Sequence, residues 1–309
     1  MFLACGEAVI DLFQNKNAGD LAFNGQAAGS PFNVAVGLSR LGCKSALITG
    51  LSRDPFGQRI IDALSKEGVD WSFAPRTDRP TILSFVLLSS DGVPEYAFYG
   101  ENGADTDVQL SALPEDFPPE ISAIHIGGFP MAVEPTKTTY ASLLKREAAR
   151  MFVSVDPNIR VKLVGSMNVY RDHFESLCCS AALIKASTED IGYLYEGVDA
   201  ATVAKRWRSL GAGTVVVTDG PKGAFAINDC GTVLAKTSAV KVVDTVGAGD
   251  SFMSALLADL KDKDILNRDA LAQASATQMK SALHFANRAA AITCTRRGAN
   301  PPTLTEMKT

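Results

Sequence analysis

The stretch Asp244-Thr245-Val246-Gly247-Ala248-Gly249-Asp250-Ser251-Phe252 combines a glycine-rich turn with a carboxylate in a way that can do chemistry. Phe252, Leu256 and Leu260, with Met253 and Leu257 alongside, recur at the spacing of one apolar helix face. Lys241, Val242 and Val243 ahead of the turn read as the end of a short buried strand. On that reading Gly247, Ala248 and Gly249 connect strand to helix, and their backbone N–H groups become the unpaired donors of the helix's first turn. Such a turn collects anions, because these donors and the positive end of the helix dipole converge there. Glycine on both sides of Ala248 lets the backbone approach a ligand closely. Asp250 stands at the mouth of this anion hole, a poor place for an anion ligand and a good one for a base that takes a proton. Capping the helix is the other role open to an aspartate there.

Further polar residues fall where strands are predicted to end or helices to begin: Asp11, Asn33, Asn158, Arg160, Lys185 and Thr218. In open α/β sheets, ligands bind in the crevice beyond the carboxyl ends of the strands. Arg160 offers a planar fork for an anionic or hydroxyl-rich ligand. Taken singly, each is an ordinary loop residue. Taken with the glycine turn, they favour phosphoryl transfer, which mainly needs positioning and charge neutralisation. The chain contains no G-x-x-x-x-G-K-[ST], no H-R-D and no D-F-G, so neither P-loop nor protein-kinase architecture is indicated. No G-x-G-x-x-G opens a helix after the first strand, which argues against a dinucleotide oxidoreductase. His125, His173 and His284 are scattered without metal-ligand spacing and read as structural.

The elements that must position these residues alternate. Phe2 to Val9 reads as a buried strand with Asp11 just past its carboxyl end, and Ser45 to Ser52 as another. Pro31 suits the first turn of a helix carrying Val34, Leu38 and Leu41, and Asp54-Pro55 opens a second through Ile60, Ile61 and Leu64. Thr81 to Leu88 and Glu95 to Tyr99, joined by Asp91-Gly92, then predict an antiparallel hairpin apart from the main sheet. Its aromatic residues Tyr96, Phe98 and Tyr99 either pack that hairpin or face a ligand. From Ile121 strand and helix alternate again, through strands ending near Gly127, Val155, Lys185 and Thr218, to a last long helix at Leu283 to Ile292. This order implies a largely parallel sheet with helices on both faces. With 309 residues, 46% of them hydrophobic and 21% charged, the composition is that of an ordinary globular protein. A net charge of −4 argues against nucleic acid as the main partner, and the apolar runs are too short to span a membrane. The six cysteines lack C-x-x-C spacing and the start lacks a signal peptide's features, so a reduced, cytoplasmic location is expected.

From end to end the chain resembles the ribokinase-like (PfkB) carbohydrate kinases, and within them the fructokinases. The resemblance is carried by Ala28-Gly29-Ser30-Pro31-Phe32-Asn33-Val34-Ala35, by Asp156-Pro157-Asn158-Ile159-Arg160, by Val217 to Ala224 and above all by Asp244 to Phe252. It implies a ribokinase-like α/β fold in a single domain, with a small β-sheet lid formed by about 12–27 and 81–103. It implies an ATP-dependent kinase that phosphorylates the primary 6-hydroxyl of fructose, with Asp250 as catalytic base and Gly247, Ala248 and Gly249 as anion hole. Asp11, Gly29, Asn33, Phe98, Asn158 and Arg160 would hold the sugar, and Lys185, Thr218, Gly220, Gly223 and Asn287 would line the ATP cleft. It further implies Mg²⁺, a K⁺ ion beside the anion hole near Asp244 and the backbone at Cys294 and Gly298, and a homodimer joined through the lid. One departure stands out. Where many relatives carry Asn-x-x-Glu near the magnesium site, this chain has Ser187-Thr188-Glu189-Asp190. A 2-keto-3-deoxygluconate kinase shares most of these motifs and is the alternative, followed by a silent sugar- or nucleotide-binding protein.

Overall fold

The computed structural model describes residues 1–15, 18–19, 22–88, 94–100 and 102–308; the Asp91-Gly92 turn and the Tyr96 side chain lie outside what is described. Along the chain, β1 (Phe2–Cys5) gives way to β2 (Val9–Gln14), β3 (Phe23–Ala28), α1 (Ser30–Arg40) and β4 (Ser45–Ile48). The two-residue strands β5 (Leu51–Ser52) and β6 (Arg76–Thr77) pair with each other across α2 (Pro55–Lys66). Next come β7 (Leu83–Leu88) and β8 (Pro94–Tyr99), which pair antiparallel. Then β9 (Ala123–Gly127), α3 (Thr136–Glu147), β10 (Phe152–Asp156), α4 (Met167–Leu177), β11 (Leu183–Ser187), α5 (Thr188–Leu194), α6 (Ala200–Ser209) and β12 (Thr214–Thr218) alternate. After β13 (Ala224–Asn228) and β14 (Gly231–Ala235) the chain ends in α7 (Ala248–Asp262), α8 (Arg268–Ala272) and α9 (Ala276–Cys294).

The main sheet has the order β4-β1-β9-β10-β11-β12-β13-β14, parallel through β12 and antiparallel in its last two pairings. Its central strands are buried at nearly every position because both faces are covered. Leu3, Ile124, Val153, Ile184 and Val215 point to one face, against Tyr140, Leu144, Phe174 and Trp207 of α3, α4 and α6. Phe2, Ala123, Phe152, Leu183 and Val216 point to the other, against Leu38 of α1, Phe252 and Leu256 of α7 and Leu283 of α9. Helices on both faces of a largely parallel sheet are what the alternation predicts. Among the described residues no helix is long and apolar enough to cross a membrane.

A second, four-stranded sheet of order β3-β2-β7-β8 stands apart. It corrects the reading of Phe2 to Val9 as one strand. Backbone φ at Gly6 is +149°, and a Cβ there would lie 2.3 Å from Pro31 Cγ and 2.4 Å from the Gly127 carbonyl oxygen. Only glycine passes between the start of α1 and the end of β9, so the chain turns out of the main sheet here. Asp11 therefore sits on β2 in the small sheet, with Gln26 of β3 and Ser84 of β7 beside it in register. The expected strand at Lys241–Val243 is also absent. Val242 and Val243 are more than half exposed, and the Val243 N–H donates to the Cys294 carbonyl at the end of α9. With no strand beside them, β-branched side chains alone do not make a strand. Ser45 to Ser52 is broken as well, because Gly50 passes so close to Ala104 that a Cβ would come within 1.8 Å of its carbonyl oxygen.

Candidate active site

Asp250 lies in the first turn of α7, buried to 7 % exposure. Its Oδ1 accepts the Ser30 hydroxyl at 2.7 Å and its Oδ2 accepts the Asn33 side-chain amide at 2.8 Å. Both donors come from the start of α1, so two helix N-termini meet at this carboxylate. Burial raises its pKa above the usual carboxylate range, while the Asn33 and Ser30 hydrogen bonds and the charges of Lys185 and Arg160 pull it back. Gly247 caps α7 with φ +74°, packed so closely on Ala299 that a Cβ would lie 2.6 Å from the alanine methyl. The Ala248 N–H is taken by the Thr245 carbonyl at 3.2 Å. Those of Gly249 and Asp250 have no intrahelical acceptor, as first-turn donors do not. No acceptor among the described residues takes the Gly247, Gly249 or Asp250 N–H, so of the expected Gly247–Gly249 trio only the Ala248 donor is engaged.

Lys185, on β11, is buried and paired with Asp156 at 2.8 Å. Its ammonium also borders the turn, since a Cβ on Gly249 would lie 3.1 Å from its Nζ. A positive charge, a glycine approach and first-turn donors therefore share one point. Burial pushes the Asp156 carboxyl up to about 6, with Lys185 opposing, and Asp156 Oδ1 has no hydrogen-bond partner among the described residues. Asp11 is likewise pushed up to about 6, mainly by burial, with Arg160 pulling the other way. Arg160 Nη1 donates to Asn158 Oδ1 at 2.7 Å and Asn158 takes φ +37°, so the two residues form one tight turn. Arg160 makes no ion pair among the described residues.

Gly29 is needed where it stands: at φ +121°, a Cβ would lie 2.4 Å from the Glu7 carbonyl oxygen. Phe98, half-buried on β8, packs near Phe129 with ring centroids 6.3 Å apart. Thr218 ends β12 and Gly220 opens the turn after it at φ +46°. Gly223 and Asn287 meet at Ala235: Asn287 Nδ2 donates to its carbonyl at 3.0 Å, and a Cβ on Gly223 would come within 2.2 Å of the same oxygen. These two hold the end of β14 in place. Asp244 is a loop staple, accepting the Val246 N–H at 3.0 Å on Oδ1 and the Gly298 N–H at 2.8 Å on Oδ2.

The Ser187–Asp190 segment has a clear structural use. Asp190 Oδ2 accepts the Ser187 N–H and hydroxyl, closing a capping box on α5, and its Oδ1 accepts the Ile159 N–H at 2.8 Å. Asp190 thereby fixes the Asn158–Arg160 turn. His125 is buried, hydrogen-bonded to Ser154 and pushed down to about 3 by burial, so it is neutral. Ser30, Glu7 and Asp156 were not singled out from the sequence. An acidic residue at or just past the carboxyl end of a buried strand, as at Glu7 and Asp156, is the signal that could have found them. Ser30 at a helix start looks like any other.

Asn33, Lys185, Arg160 and Asp11 thus gather within hydrogen-bond or electrostatic reach of Asp250, while Thr218, Gly220, Gly223 and Asn287 lie along the ends of β12–β14. The family of pfkB carbohydrate kinases matches this chain over residues 2–306, and the chain belongs to that family. It is therefore a carbohydrate kinase, with the ribokinase-like fold that the resemblance implied. It is 35% identical over 269 residues, 87% of this chain and 82% of the relative, to the fructokinase of Rhizobium leguminosarum bv. trifolii. Its structure is similar to that of a fructokinase with bound ATP from Xylella fastidiosa, with a TM-score of 0.88 at 26% identity, covering 99% and 96% of the two chains. A fructokinase double mutant from Vibrio cholerae O395, bound to fructose, ADP and potassium ion, gives 0.83 at 25% identity over 96% and 93%.

Proposed function

We propose that this chain is an ATP-dependent fructokinase acting on the primary 6-hydroxyl of fructose. The observation that carries the reading is Asp250 itself: a buried carboxylate at a helix N-terminus, gripped on both oxygens, beside a buried lysine and a glycine turn. Asp250 takes the proton of the attacking hydroxyl, and a pKa raised by burial suits a base working near neutrality. The open amides of Gly247 and Gly249, spaced by Ala248, and the Lys185 ammonium stabilise charge on the transferring phosphoryl group. Asp11, Gly29, Asn33, Phe98, Asn158 and Arg160 form the sugar side. Lys185, Thr218 and Gly220 line the nucleotide side, with Gly223 and Asn287 shaping its wall. Residues 1–309 work as one domain whose small sheet closes over the sugar, keeping water from competing for the phosphoryl group.

Mg²⁺ fits as an ion carried mainly by nucleotide phosphates and water, as is common for it, because Asp190 already accepts three hydrogen bonds, two of them on Oδ2. Its chemistry when bound is neutralisation of phosphate charge. K⁺ fits Asp244, since a carboxylate accepting two hydrogen bonds keeps further lone pairs; backbone near Cys294 and Gly298 would complete the site. All six cysteines are free, in keeping with a cytoplasmic site of action. A homodimer through the small sheet is supported by the edge-to-face row Phe23, Phe85 and Tyr99, whose last member is 62 % exposed. Light scattering should then give twice 32.7 kDa.

Phosphorylation of 2-keto-3-deoxygluconate is the second reading, favoured by one observation: among the described residues the Arg160 guanidinium forms no ion pair and could receive that acid's carboxylate. An ATP-consumption assay across a sugar panel separates the two. Fructose should be turned over fastest; a large preference for the keto acid would hand the assignment to the second reading. Asp250→Asn, which keeps shape but loses the basic oxygen, should lower kcat by about 10²–10⁴ with little change in melting temperature. Near-native kcat in that variant would remove Asp250 as the base.

A further inference from the structure

Ser30 is the first residue of α1, 4 % exposed, and is tied at both ends. Its hydroxyl donates to Asp250 Oδ1 at 2.7 Å, and its backbone N–H donates to Glu7 Oε1 at 2.9 Å. Glu7 cannot drift from this position. Its other oxygen lies 1.8 Å from where a Cβ on Gly128 would be, and its carbonyl is wedged against Gly29. Pro31 is pressed on Gly6 in the same way. The start of α1 is therefore clamped to the end of β1, and through it the Ser30 hydroxyl and Asn33 amide meet the Asp250 carboxylate at fixed points.

We propose that Ser30, pinned through its amide by Glu7, is a positioning residue that holds the Asp250 carboxylate in one orientation and favours its proton-accepting form. The inference rests on reading Asp250 as the general base. A hydroxyl donating to a carboxylate stabilises the ionised form, and a base must face the proton it abstracts. Each Asp250 oxygen accepts one hydrogen bond from α1 and so keeps a lone pair for the sugar hydroxyl. The charged groups around Asp250 are Lys185 from β11 and Arg160 after β10, which favour its anion, and Glu7, Asp11 and Asp156, whose own ionisation it opposes. All five stay in place when Ser30 alone is changed, so a shifted titration reports on the hydroxyl.

The test is the single-turnover rate from pH 5 to 9 with saturating ATP and the best acceptor of the sugar panel. Ser30→Ala should slow transfer about ten-fold near neutrality, the scale of one hydrogen bond to a charged group. Its acidic limb should move to higher pH, with part of the loss recovered at the alkaline end and acceptor KM nearly unchanged. A native limb overturns the proposal, as does an equal loss at every pH with a lowered melting temperature, which would mark packing alone. Should the alanine protein fail to fold, Ser30→Cys, close in shape but a weak donor, faces the same two outcomes. Asp250→Asn run in parallel separates the layers: near-native activity there sinks the base and this proposal together. An inactive Asp250→Asn beside a native Ser30→Ala limb sinks only the role of Ser30.

Discussion

Carboxylates crowd the crevice at the strand ends, and burial raises the pKa of each. Glu7 is pushed up to about 7, and Asp11 and Asp156 up to about 6. Asp105, after β8, is raised well above the usual range by burial and by the charge of Glu7, and neither of its oxygens has a hydrogen-bond partner among the described residues. A folded pKa above the unfolded one means that the folded chain binds the extra protons. Stability from these groups is then fully present below about pH 4 and is lost as pH rises toward about 7. Asp105→Asn, a neutral isostere, escapes that loss. Its stability relative to the parent chain, measured by urea unfolding, should climb with pH at up to about 1.4 kcal/mol per unit until Asp105 ionises. A difference that stays flat from pH 5 to 8 would mean that Asp105 is already ionised in the folded protein.

At the scale of elements, the sequence revealed what local chemistry determines and hid what only tertiary approach decides. Asp54 was legible as a helix start, and its carboxylate does accept the Gly57 N–H at 2.7 Å. The start of α9 was available too, since Ser275 and Gln278 form a capping box, yet the apolar stripe alone set the expected start at Leu283. The turn at Gly6, the break at Gly50 and the missing strand at Val242 were not legible, because each depends on a distant backbone. The crevice followed the same division. Asp250 and its glycines sit in one contiguous motif, whereas Ser30, Asn33 and Lys185 reach it only through folding. Phe98 shows the consequence. It packs with Ile82 and Phe129 between the small sheet and the core, so it can serve both closure and packing. If the sheet is a lid, Phe98→Ala should raise the sugar KM several-fold and increase ATP hydrolysis without sugar. Lowered thermal stability with both kinetic values unchanged would assign Phe98 to packing alone.

At the scale of the molecule, three segments far apart in sequence are joined around Asp244: its own loop, the chain from Cys294 to Ala299 and, through Gly298, the small sheet at Gln26. The N–H groups of Val243 and Asp244 donate to the Cys294 carbonyl at the end of α9, and Asp244 in turn accepts the Gly298 N–H. Gly298 is packed on the Gln26 amide of the small sheet, 2.5 Å from where its Cβ would be, and Gly247 is packed on Ala299. A disturbance at Asp244 therefore reaches the turn that begins α7 on one side and the small sheet on the other. A cation held there need not touch the substrate. It would order the Gly247 turn and add positive potential, and a unit charge contributes roughly 1–2 kcal/mol over about 10 Å at an effective dielectric near 20. Activation of about five- to thirty-fold is the expected scale. The rate should rise in K⁺ over tetramethylammonium at equal ionic strength, which keeps general screening constant. Asp244→Asn retains one acceptor oxygen for the staple but loses the charge, so its two rates should converge while a basal activity remains. Equal rates in the two salts for the unaltered protein, with residual K⁺ excluded, would remove the cation and leave Asp244 as a staple only.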